Sequence, residues 1–368
     1  MSLSSHTAPV PKSETLSAMR KGDRSLRGQL VLIALIPIFI ASVLCGLLLG
    51  QTDVSLLRLI SHYFSTENFE QVQATQDYLV LIDIRLPRVI LGVFVGSALA
   101  VCGVLMQGLF RNPLADPGIV GVSAGAGFGA VIFIVLGHII PISISPIIGS
   151  FGIVFSAFLC SLIITLLLYS IATHNGKTSI ATMLLAGIAI AALIGAIIGV
   201  LVFKASDQQL RDITFWSLGS LVGTTMQKVI IAAPFIVLGL CIAPFLANGL
   251  NALALGEAVA GHLGFPVQRL KNISIVLVAL MCGAAVAVSG GIGFVGIVIP
   301  HILRLIIGPN HRYLIPCSAL LGACLVIFAD YIARIVVYPA ELPIGIITAL
   351  LGAPFFLWIL LRQRGMML

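Results

Sequence analysis

Charge is what this chain has least of. Only 9% of its 368 residues are Asp, Glu, Lys or Arg, and 59% are hydrophobic, with a mean hydropathy of +1.16. So few charges cannot clothe a water-facing surface, which excludes a soluble globular domain and predicts an integral membrane protein with no nucleic-acid partner. A cleavable signal peptide would leave ordinary soluble sequence behind it, whereas apolar runs here recur to the last ten residues. The seven cysteines, Cys45, Cys102, Cys160, Cys241, Cys282, Cys317 and Cys324, form no CxxC pair, so packing residues are expected rather than a disulfide framework or a metal site. Catalytic signatures are missing too: there is no HExxH and no paired carboxylate inside an apolar run. His6, His62, His138, His174, His262, His301 and His311 are scattered, none at a predicted mid-span position, so iron ligation is not expected.

Two nucleotide-like strings do not survive inspection. In "HNGKTS" the first Gly of a phosphate-binding loop would fall at Ile171. "GIGFVG", residues 291–296, has no acid to hold a ribose, because no Asp or Glu occurs between Glu257 and Asp330. Its glycines are expected to make a tight outer turn.

What is present is a series of apolar runs near the ~20 residues that cross a bilayer as helix. They fall near 29–50, 89–110, 118–138, 146–172, 180–203, 229–247, 273–290, 292–307, 314–331 and 343–361, giving an all-α polytopic protein of about ten spans. Residues 1–28 read as a cytosolic tail and 29–368 as one membrane domain; 213–223 read as a half-helix on the outer side. An N-terminus placed inside puts the larger share of the 20 Lys and Arg on the inner side, so both termini are expected in the cytosol. With no ionisable group at a span centre, a proton- or sodium-driven carrier is disfavoured.

"GLFRNPLADPGIVGVSAGAG", residues 108–127, sets a polar turn between two of these spans. Asn112-Pro113 and Asp116-Pro117 are expected to stop one helix and start the next. Gly121, Gly125 and Gly129 follow at small-xxx-small spacing, repeated at Gly92 and Gly96 and at Gly195 and Gly199, which predicts close helix packing.

"RLPR" at 85–88, "MQGLFRNPLADPGIVGVSAGAG" at 106–127, "RDITFWSLGSL" at 211–221, "GEAVAGHLGFPVQRLK" at 256–271, "GGIGFVGIVIPHILR" at 290–304 and "ELPIGIITALLGAPFFLWILL" at 341–361 together resemble the membrane permease subunit of ABC importers for iron–siderophore complexes, haem and vitamin B12. The wording of the 110–127 stretch is nearest to a bacterial haem-uptake permease. The resemblance implies a type II importer-like fold of ten helices and a homodimer in the inner membrane, with two cytosolic ATPase subunits below and a periplasmic binding protein above. ATP and Mg belong to the ATPase, so this chain carries no cofactor and no catalytic residue.

The same resemblance gives Arg85, Arg88 and Arg334 to docking of the binding protein, and Asn112 and Leu114 to a cytosolic gate. It gives the loop of about 252–271, with Glu257, Ala258 and Gly264, to coupling with the ATPase. Val259 stands where the family pattern has a second Ala. Val259, Leu263 and Val267 would form an apolar stripe seated in a groove of the partner. Haem is the expected cargo, ahead of a ferric siderophore and cobalamin, because Phe, Met, Ala and Gly suit a flat apolar macrocycle.

Overall fold

The computed structural model describes residues 24–50, 76–139, 151–174, 177–337 and 339–364. The tail up to residue 23, with His6, and also His62 lie outside these residues. Within a bilayer every backbone N–H and C=O must be satisfied within the protein, and the described chain meets this almost entirely with helices.

The membrane-length helices are α1 (Ser25–Leu48), α2 (Leu86–Phe110), α3 (Val122–Leu136), α4 (Gly152–Ala172), α5 (Ile180–Lys204), α7 (Met226–Ile242), α10 (Val267–Ser289) and α12 (His311–Ile335). The π-helical run Leu79–Arg85 feeds straight into α2, and a 3-10 turn links α7 to α8 (Ala247–Ala254). Two further apolar helices, α11 (Val295–Ile307) and α13 (Ile344–Arg364), bring the described crossings to about the ten expected. Between them lie α6 (Asp207–Ser217) and α9 (Glu257–His262), and the strands β1 (Thr173–His174) and β2 (Lys177–Thr178). The predicted half-helix at 213–223 is shifted. Ser206 and Gln209 form a capping box that starts α6 earlier, and Gln209 also donates to the Ile134 and Val135 carbonyls at the end of α3.

Contacts between connections sort the bundle into two ends. At the near end, where α1 begins, the His311 backbone N–H donates to Asn251 Oδ1 at 2.9 Å, and the β-hairpin bonds to the start of α10. At the far end Ser220 donates to the Ser289 carbonyl at 2.7 Å, and Arg85 reaches the last turn of α1.

α2 is the hub, buried along most of its length against α12, α10 and α11. Hydrophobicity cannot hold helices together in lipid, so close packing must. Gly96 lies against the backbone of Gly322 on α12, and Gly103 against that of Gly296 on α11, each so close that a Cβ would collide with a carbonyl. Gly125 meets Cys160 on α4 in the same way, and Ser156 Oγ bonds the Gly129 carbonyl at 2.7 Å. The third expected pair departs from this pattern. Gly195 and Gly199 on α5 have nothing within 4 Å. Cys102, Cys282, Cys317 and Cys324 are buried free thiols, while Cys45 and Cys241 are exposed ones.

Candidate functional site

At the far end α2, α12 and α1 converge on a set of buried charges. Arg88, in the first turn of α2, donates from Nε to Asp330 Oδ1 at 2.8 Å and pairs through Nη1 with Glu341 Oε2 at 2.8 Å. Asp330 in turn pairs with Arg334, one helical turn on, at 3.2 Å. Arg334 also donates to the Gly46 carbonyl, and Arg85 donates to the Leu47 and Leu48 carbonyls at 2.9 Å each. Those carbonyls belong to the end of α1, where a helix has acceptors without intrahelical donors and partial negative charge, so a guanidinium is a natural cap.

Arg85, Arg88 and Arg334, the arginines expected at the docking face, are 4%, 6% and 5% exposed and brace the helices from within. Arg88 and Asp330 lie inside helices, though not at their centres. Hydropathy windows placed Arg88 and Asp330 at span ends, but the helices extend further and the charges cancel in pairs.

At the near end Arg111 ends α2 in a left-handed conformation, φ 50°. Asn112 is exposed, and its Oδ1 accepts from the Leu114 backbone at 3.0 Å, which shapes the turn around a half-buried Leu114. Asp116 Oδ1 accepts from Gly118 at 2.7 Å and caps the following 3-10 turn, Pro117–Val120. Burial raises the Asp116 carboxyl above the ordinary carboxylate range, partly offset by that backbone N–H. Pro117 packs against Gly296 at the start of α11.

The 291–296 segment is therefore more than an outer turn. It begins among the carbonyls of Trp216 and Ser217 and descends to Phe294, which is left-handed at φ 67°, leaving α11 only 13 residues. Two irregular segments thus meet inside the bundle. They line a cavity of ≈ 310 Å³ with Leu99, Asp116, Ser123 and Cys282, the setting in which non-helical backbone is tolerated in a membrane. Residues 121–125 spell G-x-S-x-G, but Ser123 lies in the first turn of α3, entered from a 3-10 turn rather than a strand, and so is not a nucleophile elbow.

The segment from Glu257 to Gly264 also sits at the near end. Ala258 is exposed, as are Val259 at 43% and Leu263 at 58%, whereas Val267 is half-buried in the first turn of α10. Gly264 takes φ +85° with open space around it. Glu257 is exposed but tied to the bundle: its Oε1 accepts from the buried Lys271 Nζ at 2.7 Å, and Lys271 Nζ also reaches the Thr178 carbonyl at 3.3 Å. Gln268 exchanges bonds with Thr178, donating to Oγ1 at 2.8 Å and accepting from the backbone N–H at 3.3 Å, and further donates to Tyr169 and Asn272. Of the described residues of the "HNGKTS" string, His174, Lys177 and Thr178 lie in the antiparallel pair of β1 and β2, with Thr173 paired to Thr178 and His174 to Lys177.

Between the two ends α5 runs almost bare, with only Met183, Gly187 and Ile194 buried. Its exposed residues include Leu185, Ile188 and Phe203. The expectation that histidines avoid mid-span fails at His301. It is 7% exposed at the centre of α11, packed edge-on to Phe355 of α13, and the predicted span 292–307 already held it near the middle. Among the described residues no group of three His, Cys, Asp or Glu could hold a metal ion.

The comparisons with known proteins agree with this architecture. Residues 2–362 match the FecCD transport family. The chain is 48% identical over 286 residues to the hemin transport system permease protein HmuU of Yersinia pestis, covering 77% of this chain and 84% of that protein. It is 44% identical over 281 residues to the cobalamin import system permease protein BtuC of Halobacterium salinarum, covering 76% and 73%. A solved structure described as an inward-facing conformation of a metal-chelate type ABC transporter superposes with a TM-score of 0.77 at 30% identity, covering 90% of this chain and 99% of that one. A multi-pass bundle of about ten helices, packed through glycine contacts and matched from end to end, leads to one assignment: the chain belongs to the FecCD transport family and is a permease of an ABC importer of that type.

Proposed function

We propose that this permease carries haem across a bacterial inner membrane. It works as a homodimer whose α5 faces border the path, with both termini in the cytosol. Two ATPase subunits, which hold ATP and Mg, dock at the near end against Val259 and Leu263, and a periplasmic binding protein delivers cargo at the far end. Arg88 is the arginine through which that protein would act, because its partner Glu341 is 28% exposed and a carboxylate from outside could replace it. Asn112 and Leu114 narrow the near-end mouth.

The observation that carries the cargo assignment is the α5 surface. It is long, apolar and left open by the chain's own packing, with Gly195 and Gly199 offering flat ground and no charged grip. Such a wall suits a flat macrocycle better than a strongly hydrated chelate, and the 48% identity to a hemin permease points the same way. The test is reconstitution of the permease with its ATPase and binding protein, with uptake of haem, two ferric siderophores and cobalamin measured side by side. Haem uptake at least tenfold above the others is expected. Robust siderophore uptake with none for haem overturns the cargo and leaves the importer class standing.

A further inference from the structure

α5 is, with α1, the barest of the long helices, yet its first turn is fastened to a polar cluster at the near end. Thr178, 8% exposed, directly precedes Ser179, whose hydroxyl caps α5 by accepting from Thr182. Two side chains from the first turns of α10 hold Thr178 on three of its polar atoms. Gln268 takes the backbone N–H and Oγ1, and Lys271 takes the carbonyl. Lys271 is itself 4% exposed, and its remaining ion partner is Glu257, the first residue of α9. Tyr169, at the near end of α4, closes the set by bonding both Gln268 and Asn272.

A buried ammonium with one carboxylate and one carbonyl cannot leave either without a large desolvation cost, so α9, α10 and the start of α5 move together. The rest of α5 has few contacts to resist that motion. We propose that Lys271 and Gln268 are positioning residues for coupling: they clamp α9 to Thr178 and convert a displacement of α9 by the ATPase into a tilt of α5. This rests on the reading of Glu257–Gly264 as the ATPase contact. It adds a defined route from that contact to the helix bordering the path, through residues 90 positions or more apart in sequence.

The assembled transporter, permease with ATPase and binding protein in proteoliposomes, provides the test. Lys271→Met keeps the volume and removes the charge, and Gln268→Leu removes the amide. Each is expected to retain the ATPase on the permease, to lower uptake at least tenfold, and to abolish the response of ATP hydrolysis to loaded binding protein. Lys271→Arg is expected to recover half or more of the uptake. Spin labels at the exposed positions Lys177 and His262 read the clamp directly. Their separation should stay narrow with and without ATP in the parent chain and broaden in either variant, a change that a mere loss of stability would not produce in protein that still assembles. Should Lys271→Met fail to insert, Gln268→Leu carries the same measurements.

Leu263→Asp separates the two readings. If it leaves the ATPase bound, the contact assignment falls and the clamp with it. If it releases the ATPase while Lys271→Met and Gln268→Leu transport normally with an unchanged label distance, the clamp alone is overturned.

Discussion

α2 and α5 are both 25 residues long, both almost wholly apolar, and both carry glycines at small-xxx-small spacing. One is the most buried helix of the bundle and the other nearly bare. Gly96 and Gly103 of α2 meet backbone from α12 and α11, whereas Gly195 and Gly199 of α5 face open space. The same motif thus reports only that a helix can be approached closely, and says nothing of whether the chain itself does the approaching. The charged end of α2 supplies a second difference. Arg88 is tied into Asp330 and Glu341, while α5 carries only Lys204, at its last position.

The largest effect should come from cutting that tie. Asp330→Leu leaves Arg88 and Arg334 buried without their shared carboxylate and is expected to destabilise the folded chain by about 3–5 kcal/mol. Unfolding in mixed micelles would measure it, and adding Arg88→Met should recover part of the loss. A cost below ~1 kcal/mol would mean that water already screens the cluster.

Gly103→Val comes next, since its Cβ would strike the Gly296 carbonyl. About 3 kcal/mol is expected, with a lower thermal midpoint in detergent. The smallest stability change belongs to Gly199→Leu, within ~0.5 kcal/mol, because nothing lies within 4 Å of that position. In the assembled importer it should nonetheless slow uptake, since it roughens the proposed path. If Gly199→Leu proves as destabilising as Gly103→Val, the contrast between the two helices is wrong.

Much of the fold was legible. Apolar length and the placing of Gly, Pro and charge gave the crossings to within a few residues, because lipid imposes helix on any backbone within it. Asp116 as a cap was readable from its place before Pro117. The buried charges were not, because Arg88 and Asp330 are 242 residues apart and a hydropathy window sees each only as the ragged end of a span. The depth of the 291–296 segment was hidden too: nothing in "GGIGFVG" says how far the chain descends before turning helical. Glu257 was legible as belonging to the near-end connection, but its inward partner Lys271 was not, since both read as ordinary exposed loop charges.

The contact between α2 and α12 has a mechanical consequence. Along Gly96 and Gly322 it is backbone on backbone, with Ser97 Oγ donating to the Ala319 carbonyl beside it at 2.9 Å. At the far end the Arg88–Asp330 pair pins it. Both ties lie in the first half of α2, so motion of α2 against α12 is a pivot about that end rather than a slide. α2 is ~37 Å long at about 1.5 Å per residue, so a tilt of about 5° displaces its free end by ~3 Å. The other end is Phe110, and the next residues in the chain are Arg111 and Asn112, so such a tilt reaches the turn proposed to narrow the near-end mouth.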